Sequence, residues 1–106
     1  MKASLLTKLE ALADRHQELE ALLGDAEVIS DQNRFRDLSV EFAHLNDVVA
    51  QYQRWQQLQV ELEDARQLLD DSDTEIKALA SNEVAEASVS LEEIESALQV
   101  LLLPRD

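Results

Sequence analysis

The sequence predicts an all-α protein, an antiparallel three-helix bundle whose long central helix continues into a projecting two-helix coiled-coil hairpin. Three observations point there. Gly24 and Pro104 are the only glycine and the only proline among 106 residues, whereas sheet-rich folds need many turns built from those residues. The chain is rich in Ala, Leu, Glu and Gln, the good helix formers. Its apolar residues also recur at helical spacing in three successive segments.

In the first segment, Leu5, Leu9, Leu12, His16, Leu19 and Leu23 alternate between steps of four and three, which lines up one stripe on a helix over about 4–23. Gly24 comes next, where a left-handed conformation would end the helix. Residues 24–30 read as a connection, with Ser30 or Asp31 positioned to cap the second helix. The second stripe runs from Phe35 and Leu38 through Phe42, Leu45, Val49, Tyr52, Trp55, Leu58, Leu62 and Ala65 to Leu69. Steps of three around Tyr52 and Trp55 mark a local slip in the repeat. No Pro or Gly interrupts the segment, so one helix over about 31–70 is the simplest reading. The third segment begins at the acidic cluster 70–73, where Ser72 and Glu75 match a capping box. Its stripe is Ile76, Ala80, Val84, Ala87, Leu91, Ile94, Leu98 and Leu101, predicting a helix over about 72–103. Ser81-Asn82 is a candidate kink, because both residue types favour caps, and Pro104 closes the pattern.

Helix lengths then suggest a shape. About 20 residues span ~30 Å and about 40 span ~60 Å, so the first helix covers half of the second. Residues 55–80 are expected to project as a hairpin with 70–73 at its tip. Tyr52 and Trp55 are expected where the hairpin becomes two-stranded, as core residues rather than an exposed aromatic anchor.

The net charge is −14. Residues 1–24 are nearly balanced, with three Lys/Arg against four Asp/Glu, but 25–70 carry four against ten and 71–106 two against nine. Such a field repels phosphate backbones, which argues against extensive direct nucleic-acid binding. It also keeps a small domain soluble. There is no Cys, hence no disulfide framework and no thiolate site, which fits a reducing cytoplasm. The N-terminus has no apolar signal region, and the longest apolar run, Val100 to Leu103, is too short to span a membrane.

No catalytic, cofactor or metal site emerges. Glu41 and His44 have the Glu-x-x-His spacing of di-iron bundles, but such a site needs a second copy and further inward carboxylates; chance spacing in a Glu-rich helix is the more economical reading. His16 sits within an apolar stripe, as a packed boundary ring rather than a ligand or pH switch. Glu92, Glu93 and Glu95 face mostly solvent in this reading, with no cavity to separate their pKa values. Ser, His and Asp occur, but without the strained turn that presents a nucleophile. Protein-contact candidates are Arg34 and Arg36, two cations at the unfavourable end of a helix dipole whose plainer role is pairing with Asp31 or Asp37. Val100 and Leu103 join them, because four consecutive apolar residues cover more of a helix than a bundle buries. Leu98, Leu101 and Leu102 are expected to face the bundle and Val100 or Leu103 to stay wet.

Several stretches together are more telling than any one. Lys8-Leu9-Glu10-Ala11-Leu12 and Leu22-Leu23-Gly24-Asp25-Ala26 come first, then Phe35-Arg36-Asp37-Leu38-Ser39 and Glu41-Phe42-Ala43. Trp55-Gln56-Gln57, Leu68-Leu69-Asp70-Asp71 and Gln99 to Pro104 complete the set. In order and over nearly the whole chain, they resemble the N-terminal domain of the bacterial class-1 peptide-chain release factors. The likeness is to release factor 1, which reads UAA and UAG; the sister factor that reads UGA has a related first domain. The resemblance implies translation termination in the cytoplasm, in a longer protein of which 1–106 is a single N-terminal helical domain. In that family a Gly-Gly-Gln loop promotes peptidyl-tRNA hydrolysis and a separate tripeptide reads the codon. With one glycine, this chain has no place for the loop. The family's first domain is a helical arm that lies toward the stalk base of the ribosome, near a stalk-base protein, and is linked to the recycling GTPase release factor. Following domains of the same chain are further implied partners. Two other readings stand beside it: a free-standing acidic coiled-coil adaptor or chaperone-like module, and a four-helix metal bundle formed by dimerisation.

Overall fold

A computed structural model describes residues 1–103. Four helices succeed one another: α1 (Ala3–Leu23), α2 (Ala26–Ser30), α3 (Gln32–Leu68) and α4 (Thr74–Leu101). No strand occurs among the described residues, and the all-α bundle class stands. The three long helices fall where the apolar spacing places them, each with ends within two residues of expectation. Pro104, expected to close the last helix, lies outside the described residues. The chain divides into two compact units, 1–50 and 51–106.

The first unit holds α1, α2 and the start of α3. The connection at 24–30 is not a plain loop, because it contains α2. Asp25 caps that helix, its carboxylate accepting from the Glu27 N–H at 2.8 Å, and Val28 is almost fully buried. Gly24 departs from expectation too. Its φ is −93°, an ordinary right-handed value, and its N–H bonds to the Ala21 carbonyl at 3.2 Å. A left-handed exit is unnecessary because the chain passes through a tight right-handed turn straight into the Asp25 cap. Asp31 then ends α2 and starts α3. Its backbone N–H bonds to Val28, and its side chain accepts from the Arg34 N–H at 3.2 Å.

The α1 stripe behaves as read: Leu9 and Leu19 are buried, and Leu5, Leu12, His16 and Leu23 are half-buried. Arg15 and Glu41 meet across α1 and α3. Each lies a similar distance from the intervening turn, as antiparallel helices require. Phe35 and Leu69, the two ends of the second stripe, are the exceptions and are exposed, while Val48 is buried beside Val49. Two adjacent residues buried on one helix mean a wider contact than a single seam.

The second unit is an antiparallel pair made by the rest of α3 and α4. Leu58 and Leu62 from α3 share a core with Ala87 and Leu91 from α4, with Trp55, Val84 and Ile94 packed at its edges. Burying each leucine contributes roughly 1.5–3 kcal/mol. Tyr52 is buried and Trp55 half-buried; their rings lie nearly parallel, 6.1 Å apart at 14°. The turn at 69–73 is tight. Asp71 accepts from the Asp73 N–H and Asp73 from the Glu75 N–H. The α4 N-cap is therefore Asp73, not Ser72, because two successive side-chain turns advance the start of the helix by one residue. Nor does Ser81-Asn82 break α4, which runs unbroken to Leu101. Both side chains are exposed, so neither competes for a buried backbone group, and Ala80 beside them is almost fully buried.

Candidate functional site

Among the polar contacts of the first unit, the strongest joins Arg15 to Glu41. The guanidinium grips the carboxylate with Nε on Oε2 at 2.6 Å and Nη2 on Oε1 at 2.8 Å, the two-pronged geometry that suits arginine to carboxylates. Nη1 also bonds Glu18 at 2.9 Å. The hydrogen bond from Arg15, more than its charge, holds the Glu41 carboxyl below the ordinary glutamate value. Both Glu41 oxygens are thus engaged by a cation, while His44 three residues on is exposed. Of the Glu-x-x-His pair, Glu41 is committed to an ion pair with Arg15. No cluster of three or more His, Asp or Glu suited to a metal ion occurs among the described residues.

His16, next to Arg15, stacks on Phe42 with centroids 4.4 Å apart and planes 17° apart. Its Nε2 lies 2.7 Å from the Asn46 side-chain oxygen. The ring is packed as expected, and that nitrogen meets an amide. In the second unit, Glu95 departs from the solvent-facing reading: it is half-buried and accepts from the Trp55 indole N–H at 3.0 Å. Glu92 and Glu93 are exposed. Sequence spacing missed the Arg15–Glu41 and Trp55–Glu95 pairs because each joins residues far apart in the chain.

The protein-contact candidates are all on the surface. Arg34 and Arg36 are exposed. Arg36 bonds the Asn33 side chain at 2.8 Å, and neither arginine has a salt bridge to a carboxylate among the described residues. The pairing of Arg34 with Asp31 is through its backbone N–H only. Val100 is 66% exposed and Leu103 62%, whereas Leu98 is fully buried and Leu101 and Leu102 half-buried. The two middle residues of the apolar run are half-buried and the two outer ones exposed, although the helix itself ends at Leu101. Other apolar side chains stand in water beside the α3–α4 turn, namely Leu68, Leu69, Ile76 and Leu79. One open groove, of about 370 Å³, lies between α3 and α4 and is lined by Leu58, Glu61, Glu83, Glu86 and Ala87 among others.

Among the described residues, this arrangement offers surfaces rather than a pocket with converging reactive groups. A family model for the PCRF domain, the N-terminal domain of peptide-chain release factors, matches residues 12–106. The chain belongs to that family, and the match takes in α2, α3, α4 and most of α1. No described helix is long and apolar enough to cross a membrane.

Proposed function

We propose that this chain is the non-catalytic, ribosome-docking helical arm of a bacterial translation termination factor, working in the cytoplasm near the stalk base. The family match over residues 12–106 is the observation that carries this reading. The parent protein promotes stop-codon-dependent hydrolysis of peptidyl-tRNA, reading UAA and UAG. The catalytic Gly-Gly-Gln loop belongs to another part of such a factor; the single glycine here, Gly24, sits at a helix end. A stalk-base protein is the direct partner and the recycling GTPase release factor an indirect one. The acidic charge keeps the arm off ribosomal RNA.

The test has two arms. The 106-residue chain is added to ribosomes programmed with UAA and carrying peptidyl-tRNA, where release should not rise above a no-factor control. It is also sedimented with ribosomes that have or lack their stalk-base proteins, and retention should depend on those proteins. Release by this chain, or retention indifferent to the stalk base, overturns the proposal.

Arg34 and Arg36 are contact points for a partner in this reading. Val100 and Leu103 form a seat on which the following domain docks and sets the arm's angle. Leu103→Ser in the parent factor should then raise hydrogen exchange at the domain junction. Unchanged exchange there and an unchanged arm orientation refute the seat.

A further inference from the structure

The groove between α3 and α4 combines apolar and acidic side chains. Its floor is the narrow exposed edge of two core residues, Leu58 at 3% and Ala87 at 9% exposure, and carboxylates rise from both helices: Glu61 on α3, Glu83 and Glu86 on α4. Arg54 is the one cation in the lining, and it already lies 3.6 Å from Glu61. The surface continues from Glu86 and Ser90 to Ala85, Val89 and Glu93 on the outer side of α4. Val89 is 55% exposed. Between Ala78 and Leu101 α4 carries five glutamates and no Lys or Arg.

We propose that this flank of the helical pair docks a basic, amphipathic helix of a partner protein. An apolar side chain of that helix enters the groove over Leu58 and Ala87, its next apolar residue covers Val89, and its Lys or Arg side chains meet Glu83, Glu86 and Glu93. The groove between two antiparallel helices has the shape that a third helix fills, with anchors at i, i+3 or i+4 and i+7. Charge selects the occupant. A second copy of this chain carries the same excess of carboxylates and is repelled, as is nucleic acid. A bare cation is ill suited, since the carboxylates do not gather into a metal-binding set among the described residues. A cationic helix gains at every rim position, and the apolar floor adds what charge alone does not supply, a requirement for side-chain pattern. The proposal stands apart from the ribosome reading, because it concerns what this flank accepts and not where the arm works.

The test uses two synthetic peptides of about 18 residues, ~27 Å of helix, and the purified 106-residue chain. One peptide has leucines at helical spacing on a Lys/Arg background; the other scrambles the same composition. The amphipathic peptide should bind roughly tenfold or more tightly than the scramble, a difference of about 1.4 kcal/mol. Amide shifts should centre on Ala85, Val89 and Ser90. The triple variant E83Q/E86Q/E93Q should lose affinity for both peptides by about tenfold or more. Val89→Ser, at an exposed site, should weaken the amphipathic peptide alone, with circular dichroism unchanged. Equal affinity for the two peptides would mean charge attraction without a seat and overturns the proposal. So does failure of both to bind, or shifts centred elsewhere, such as the α3–α4 turn.

Discussion

Arg15 and Glu41 lie 26 positions apart in sequence and make the tightest side-chain pair among the described residues. Because hydrogen bonding from Arg15 lowers the folded-state pKa of Glu41, the folded chain takes up this proton less readily than the unfolded chain. The pair's contribution is full above the unfolded glutamate range, near ~4.3. It is lost as pH falls through the lower folded value. Glu41→Gln cannot titrate. It should therefore lower the melting temperature at neutral pH and flatten the decline between about pH 5 and 3, as read by thermal melts across that range. An acid limb as steep as the parent's would show that Glu41 is not coupled to folding. His16 and Phe42, one position on, add a stacked contact between the same two helices, so the ion pair sits against packed rings.

Helix ends supply the tests at the scale of elements. Asp73 caps α4 by accepting from the Glu75 N–H at 2.9 Å, and an Ala in its place costs roughly 0.5–2 kcal/mol. Ser72→Ala should cost far less, within about 0.5 kcal/mol of neutral. Denaturant titration of the two variants separates them, and equal losses would restore Ser72 as the cap. Gly24 tests the opposite expectation. A Cβ there would meet the Ala21 carbonyl oxygen at 3.6 Å, ordinary van der Waals contact, on a backbone any L residue adopts. Gly24→Ala should stabilise by about 0.4–1 kcal/mol, by restricting the unfolded chain. A loss would mean that the turn needs glycine after all. The boundary between α1 and α2 thus depends on the Asp25 cap rather than on glycine's special freedom.

For the whole molecule, charge is the dominant feature. A net charge of −14 on 106 residues makes the folded chain repel itself, and salt with a screening length of ~10 Å at 0.1 M reduces that cost. The melting temperature should rise between about 0.02 and 0.3 M NaCl. A fall would mean that favourable ion pairs such as Arg15–Glu41 outweigh the repulsion. The helical pair in the second unit has an apolar core of modest size. Leu62→Ala within it should cost roughly 2–5 kcal/mol, measurable by the fluorescence of Trp55, the only tryptophan.

By itself the sequence determined helix class, the three long helices and most of their inward faces, because a period near 3.6 residues is a local property written into residue order. Leu9, Leu19, Leu58, Leu62, Leu91 and Leu98 are buried where their stripes predict. It also determined the family, through short stretches spread along the chain, and the division of the run at Val100–Leu103 into wet and buried residues. The tertiary structure alone decided which polar groups meet. Arg15 with Glu41, His16 with Asn46 and Trp55 with Glu95 are each brought together from distant positions, and nothing local encodes such partners. It also decided that 24–30 folds as a short helix. A five-residue α2 is below the length at which helices hold in water, and it persists because Val28 is buried against the rest of the fold.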